Sequence, residues 1–298
     1  MSHKSGFVTI IGRPNVGKST LLNQILKQKI AIISDKVQTT RRRIRGIYND
    51  ERGQIIFVDT PGIHKPFHQL GEYLLEEVRL AIPDADLILF LVDVREEPGT
   101  GDRWIVENIL QKETPVILIC NKVDMIKDME KRAGVVEKYK ELFPDMKVPA
   151  LMVSAKTGRN MDDLIKNIFR HLPKGPQYYP EEDVTDQSMR AIAEEIIREK
   201  VLLNTQEEIP HAIAVKIESY KQEEDITKIN ATVYVERDSQ KGIIIGKNGE
   251  MLKKIGTLAR QEIEEMSEEK IYLALHVRVK KNWRKNPSAL RQFGYENK

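Results

Sequence analysis

The run Gly12-Arg13-Pro14-Asn15-Val16-Gly17-Lys18-Ser19-Thr20 matches the spacing G-x-x-x-x-G-K-[ST] of a phosphate-binding loop. A strand-like apolar stretch (7–11) precedes it, and the helical spacing of Leu21, Leu22, Ile25 and Leu26 follows. That strand–loop–helix context is what such a loop requires. Glycines let backbone N–H groups turn inward around a β-phosphate, and the helix N-terminus adds its positive dipole end. Lys18 would reach the β/γ oxygens, and the Ser19 hydroxyl would meet Mg²⁺, which takes oxygen ligands beside phosphate. The chemistry is that of a nucleoside triphosphate.

Three further segments address the base. Asp59-Thr60-Pro61-Gly62, followed by Ile63, ends an apolar run (55–58). A strand there delivers Asp59 toward the metal and the Gly62 N–H toward a γ-phosphate. Asn121-Lys122-Val123-Asp124 ends a second apolar run (116–120), and its carboxylate can accept from guanine N1–H and N2–H. Adenine offers no such donor pair and would leave a buried carboxylate unsatisfied, which opposes a metabolic ATPase. Ser154-Ala155-Lys156 follows a third strand-like run (149–153) and can give a backbone N–H to guanine O6. Each string is weak alone, but four in this order, each at a strand's carboxyl end, predict a guanine-nucleotide site.

The elements that must carry these residues alternate. Strand-like runs (7–12, 45–49, 54–59, 86–93, 115–121, 149–153) interleave with helical ones (18–28, 70–81, 102–112, 129–142, 160–170). This predicts an α/β P-loop GTPase domain with a mostly parallel sheet over residues 1–172. Three prolines and a glycine between 171 and 180 read as a linker, assigned to 173–182. Beyond it the order is helix–strand–strand–helix–helix–strand, an α+β domain over 183–298. The 298 residues suffice for two cores. The single cysteine, Cys120, precludes an intramolecular disulfide and reads as a buried thiol in a reducing compartment. No stretch approaches the ~18 apolar residues of a membrane span. The first residues lack a signal-peptide pattern, so the expectation is a cytoplasmic protein for which peripheral membrane contact stays open.

In the second region Gly246-Lys247-Asn248-Gly249 matches the G-x-x-G loop of KH RNA-binding domains, and the element order is their type II arrangement. The glycines would admit a nucleic-acid backbone and Lys247 would meet phosphate. Ile243, Ile244 and Ile245 would form an apolar floor under unstacked bases. Acids slightly outnumber bases from 181 onward, yet Arg237, Lys241, Lys247, Lys253, Lys254 and Arg260 cluster around the loop. A second cluster, Arg278, Lys280, Lys281, Arg284, Lys285 and Arg291, contains no acid. Two basic clusters bracketing the loop read as an electrostatic footprint for RNA. The competing reading is a protein or membrane adaptor in which RNA binding is incidental.

Taken together, the four nucleotide motifs, Gln38-Thr39-Thr40-Arg41 and the G-x-x-G loop resemble the Era family of bacterial GTPases over essentially the full length. The resemblance implies slow GTP hydrolysis and binding near the 3′ end of 16S ribosomal RNA. It also implies help in maturing the small (30S) subunit, loose association with the cytoplasmic face of the inner membrane, and a monomer. The first switch must lie between the phosphate loop and Asp59, and Thr40 rather than Thr39 is expected to reach Mg²⁺ beside Ser19 and Asp59. Arg41, Arg42, Arg43 and Arg45 are open to RNA or a partner. Ile63 stands where many GTPases carry a water-orienting glutamine. The resemblance points to GTPases with an apolar residue there, several of which use K⁺ held by a phosphate-loop asparagine, the position of Asn15. Asn15, Lys18 and Thr40 are thus the expected catalytic residues; His64 and His68 read as ordinary loop residues.

Overall fold

The computed structural model describes residues 3–34, 36, 39–63, 69–110, 113–144, 147–206 and 209–295. Gln38, His64 and His68 lie outside the described residues. The chain divides into two units, one of Met1–Ala31, Thr40–Phe67 and Leu74–Asp186, the other of Ile32–Thr39, His68–Tyr73 and Gln187–Lys298.

In the first unit the elements run β1 (Lys4–Ile11), α1 (Lys18–Leu26), β2 (Ile44–Asp50), β3 (Gly53–Asp59), α2 (Gln69–Arg79, whose first residues count with the other unit), β4 (Leu87–Asp93), α3 (Thr100–Asn108), β5 (Val116–Asn121), α4 (Met129–Lys140), β6 (Ala150–Met152) and α5 (Met161–His171). The sheet order among the described residues is β2-β3-β1-β4-β5-β6. All neighbours are parallel except β2, which pairs antiparallel with β3 from Ile44↔Asp59 to Asp50↔Gly53. Strands covered on both faces read as unbroken apolar runs, and β4, Leu-Ile-Leu-Phe-Leu-Val-Asp, is buried throughout. Its side chains alternate: Leu87, Leu89 and Leu91 enter the core under α1 and α5, and Ile88, Phe90 and Val92 the core under α3 and α4. Strand order reverses at β1, which lies between β3 and β4, and the crevice beyond the carboxyl ends there is where such sheets hold ligands.

The segment read as a linker is docked on the first unit. Ser5 N–H donates to Pro173 C=O, and the Gln54 carboxamide bonds the backbone of Tyr178 and Tyr179. Ile47 N–H donates to Val184 C=O, and Arg45 pairs with Asp186 at 2.9 Å. The first unit therefore extends to Asp186, because an exposed edge strand supplies unpaired backbone groups for the strap to satisfy.

In the second unit α6 (Met189–Asn204) and α7 (Ile209–Ala212) lead into β7 (Ala214–Gln222) and β8 (Thr227–Val235); α8 (Asp238–Ile245), α9 (Glu250–Ser267), β9 (Ile271–Val279) and α10 (Pro287–Gln292) follow. The sheet order is β7-β8-β9, antiparallel then parallel. One face of α6 (Ile192, Ile196, Ile197) and of α9 (Ile255, Ala259, Ile263) shares a core with Val215, Ile229, Ala231 and Val233. The first strand of this unit starts at Ala214 because α7 precedes it, the end of α7 being fixed by Trp283 Nε1 donating to Ala212 C=O at 2.8 Å. Among the described residues no helix is long and apolar enough to cross a membrane.

Candidate nucleotide site and nucleic-acid groove

The carboxyl edge of the first sheet gathers the four motifs. The loop between β1 and α1 is held from outside at three of its carbonyls. Gly12 C=O accepts from Ile63 N–H at 3.1 Å, Asn15 C=O from Lys122 Nζ at 2.6 Å, and Val16 C=O from Asn121 Nδ2 at 2.8 Å. Lys122 also pairs with Asp93 at 2.8 Å, tying the end of β4 to the loop. Asn15 takes a left-handed backbone, φ 64°, and is exposed. Gly62 approaches the loop so closely that a Cβ there would lie 2.7 Å from Pro14 Cα, so only glycine fits.

Ser19, Thr40 and Asp59 converge. Ser19 Oγ donates to Asp59 Oδ2 at 2.7 Å, and Thr40 Oγ1 lies 2.9 Å from Ser19 Oγ and 3.4 Å from Asp59 Oδ2. Thr39 Oγ1 instead donates to Lys36 C=O. Asp59 is fully buried, and its Oδ1 has no hydrogen-bond partner among the described residues. Burial pushes its carboxyl up to about 6 against the opposing pull of Lys18, Ser19, Thr40 and the Thr60 backbone. The Lys18 ammonium, donating to the Gly12 and Arg13 carbonyls at 3.2 and 3.0 Å, is drawn down to about 8 by the same desolvation, with Asp59 opposing. An orphaned buried carboxylate oxygen beside two hydroxyls fits a hard divalent cation.

On the base side Ser154 Oγ donates to Asp124 Oδ1 at 2.6 Å, and Asn121 Oδ1 accepts from Ala155 N–H at 2.9 Å. Asp124 and Lys156 remain exposed at the crevice. Thr60 Oγ1 donates to Ile10 C=O, while Val123 and Ile63 send their side chains into the core. Ile63 thus contributes a backbone anchor to the loop and no side chain to the site. Of the arginines after Thr40, Arg41 is buried, whereas Arg43 pairs with Glu77 and Arg45 with Asp186 within their own unit.

In the second unit Gly246, Asn248 and Gly249 have φ of 72°, 53° and 80°, a left-handed turn that glycine and asparagine accept most readily and that leaves Lys247 exposed between α8 and α9. Beside it a groove of about 390 Å³ is lined by Leu252, Lys253, Gly256, Arg260, Leu273 and Leu275, with Gly249 and Thr257. The expected apolar floor is corrected here. Ile244 is fully buried in the core, because only one face of a single helix turn points outward, whereas Ile243 is half exposed. Leu273 and Leu275, two residues apart on β9, supply the apolar wall instead. Gly256, where an added Cβ would meet nothing within 4 Å, faces open space. The signal for these residues was the spacing 253, 256, 257 and 260 along one face of α9. Lys281 is exposed; Lys280 bonds Gln292 and lies over the Phe293 ring at 5.5 Å, and Arg284 Nε donates to Glu236 at 3.1 Å.

A doubly wound sheet whose carboxyl edge gathers these motifs, followed by a sheet-and-helix unit with a G-x-x-G loop, defines a P-loop GTPase domain joined to a KH domain. Protein-family models agree: a 50S ribosome-binding GTPase family matches residues 7–122, and a KH domain family residues 208–284. The chain belongs to the Era family of GTPases. It is 48 % identical to the GTPase Era of Alkaliphilus metalliredigens, covering 99 % of this chain and 100 % of that one. It is 49 % identical to that of Ruminiclostridium cellulolyticum, covering 99 % of each. A crystal structure of Era in complex with MgGDPNP and nucleotides 1506–1542 of 16S ribosomal RNA superimposes with a TM-score of 0.95 at 40 % identity, covering 99 % of this chain and 100 % of that one. The protein is accordingly a GTPase.

Proposed function

We propose that this GTPase binds small-subunit ribosomal RNA near its 3′ end through the KH groove, and that its nucleotide state governs that binding during maturation of the 30S subunit. The observation that carries the reading is the full-length likeness to an Era that holds MgGDPNP and 16S ribosomal RNA together. The basic, apolar-walled groove beside Gly246–Gly249 has the chemistry to take a single strand. Lys18 and the loop backbone bind the phosphates, the Gly62 N–H meets the γ-phosphate, and Asp124, oriented by Ser154, reads guanine. Ser19 and Thr40, with Asp59 behind them, would hold Mg²⁺, which when bound neutralises charge on the β- and γ-phosphate oxygens. Asn15 would hold K⁺ in the role that an arginine finger plays elsewhere. The protein acts as a monomer in the cytoplasm with peripheral association with the inner membrane. The functional division is a GTPase domain over 1–172, a strap over 173–186 docked on it and an RNA-binding domain from 187.

Filter binding of a 16S 3′-end fragment across a salt series, with GDP and with a non-hydrolysable GTP analogue, tests the reading. Phosphate contacts impose a steep fall of affinity with salt, and the two nucleotides give different affinities. Salt-insensitive binding that ignores the nucleotide would replace this reading with the adaptor.

A further inference from the structure

The phosphate loop has one anchor that belongs to no nucleotide motif. Arg13 Nε donates to Asp102 Oδ1 at 2.9 Å, and its Nη2 to Glu96 at 2.9 Å. Asp102 sits in the first turn of α3 and is fully buried. Its other oxygen accepts from Gly99 N–H at 2.9 Å and lies 3.4 Å from the Tyr139 hydroxyl of α4. The Arg13 guanidinium is the one cation that the described structure places on this buried carboxylate. A buried charge held by one cation is costly to strip of it, so the pair resists opening. Arg13 is thereby pinned to the segment that follows β4.

The position of this pin matters. Residues 12–14 are the part of the loop that touches the D-x-x-G segment: Ile63 N–H bonds Gly12 C=O, and Gly62 abuts Pro14. The remainder of the loop, from Asn15 to Ser19, is anchored separately by Lys122 and Asn121 and leads into α1, where the β-phosphate is cradled. Arg13 thus fixes the end of the loop that borders the γ-phosphate position and leaves the β-phosphate cradle to other anchors. We infer that the Arg13–Asp102 pair is a positioning device for the γ-phosphate side of the site, making Asp102 a determinant of preference for GTP over GDP. The inference rests on the reading of the site given above.

Titration of full-length protein with fluorescent GDP and a fluorescent non-hydrolysable GTP analogue, in Mg²⁺, tests it on Arg13→Gln, Asp102→Asn and the double variant, with thermal unfolding as the control for folding. Asp102→Asn keeps an oxygen for the Gly99 cap while removing the charge. Each single variant should weaken the GTP analogue about tenfold, the loss of roughly one charge-assisted hydrogen bond. GDP affinity should stay within about twofold, and the double variant should be no worse than either single. Equal losses for both nucleotides, no loss, or additive losses would overturn the inference. Arg13→Lys keeps a charge at Asp102 without the planar fork, and should recover part of what Arg13→Gln loses even if Asp102→Asn does not fold. A lysine variant no better than glutamine would also overturn it. Wild-type protein binding neither nucleotide would remove the site reading itself, and this inference with it.

Discussion

Ser154 Oγ donates a 2.6 Å hydrogen bond to Asp124 Oδ1, so the carboxylate proposed to read the base is held by a residue from a different loop. The held geometry makes base choice a matter of donors and acceptors rather than of shape. Asp124→Asn should weaken GTP and improve xanthosine triphosphate, whose C2 carbonyl accepts where guanine donates. Ser154→Ala should weaken GTP by about tenfold, the cost of roughly one hydrogen bond to a charged group, without that exchange of preference. Competition binding with both nucleotides decides it, and unchanged GTP preference in Asp124→Asn would sink the assignment.

The Asp59 carboxyl is held near 6 by burial, against an ordinary value of 3.8. Between those values the folded protein binds more protons than the unfolded chain, so this group makes stability fall as pH rises from about 4 to about 6. Asp59→Asn keeps the acceptor for Ser19 and removes the buried charge. In nucleotide-free protein at pH 7 it should be more stable than wild type by something on the order of 2 kcal/mol. The difference should shrink toward pH 4. Urea unfolding of both proteins over that range measures it, and taking the difference cancels the depressed carboxyls of Asp50 and Asp93, whose contributions run the other way. A variant less stable than wild type at pH 7 would show that the carboxylate is not strained.

What the sequence made legible follows from what local pattern encodes. Runs such as 87–92 are apolar at every position, which only a strand covered on both faces requires, and the motifs sit where such runs end. Thr40, rather than Thr39, directly precedes Arg41, and that position marked it as the threonine to meet Ser19 and Asp59. Long-range pairing was not legible. Asp102 meets Arg13 across 89 residues, and the strap over 173–186 is fixed by Gln54, more than a hundred residues upstream. The triple isoleucine at 243–245 hid its phase, since three identical side chains do not reveal which one a helix turns inward.

That phase can be checked directly. Ile244→Ala should cost about 2–4 kcal/mol of stability by leaving a cavity in the core that α9 and the sheet share. Ile243→Ala, at a half-exposed position, should change stability by less than about 0.5 kcal/mol. Thermal unfolding separates the two, and equal effects would mean that α8 is rotated from its observed setting.

The ion carries a prediction that the Asn15 backbone makes specific. Its left-handed conformation and the Lys122 bond to its carbonyl fix the residue independently of its side chain, so Asn15→Ala mainly removes the amide. GTP turnover at equal ionic strength should be faster in KCl than in NaCl, and Asn15→Ala should erase the difference while GDP affinity holds. Equal turnover of wild type in both salts would remove K⁺ from the mechanism.

The last prediction concerns the G-x-x-G turn. Lys247 and Asn248 are exposed, precede Gly249 of the groove lining and belong to no core, so replacing both with Asp should leave the fold intact. Two carboxylates at a phosphate-contact position add like-charge repulsion to the lost lysine contact, and that repulsion is largest where the groove excludes water. RNA affinity should therefore fall for every sequence tested, and by more than Lys247→Ala alone produces. The salt slope should also flatten, because fewer counterions are released. GTP turnover without RNA should be unchanged, since the turn lies in the other unit from the phosphate loop. Mobility shift of a single-stranded 16S 3′-end fragment, with circular dichroism to verify folding, gives the answer. A folded double variant that binds as tightly as wild type would mean that Gly246 and Gly249 serve only to turn α8 into α9, and the adaptor reading would then lead.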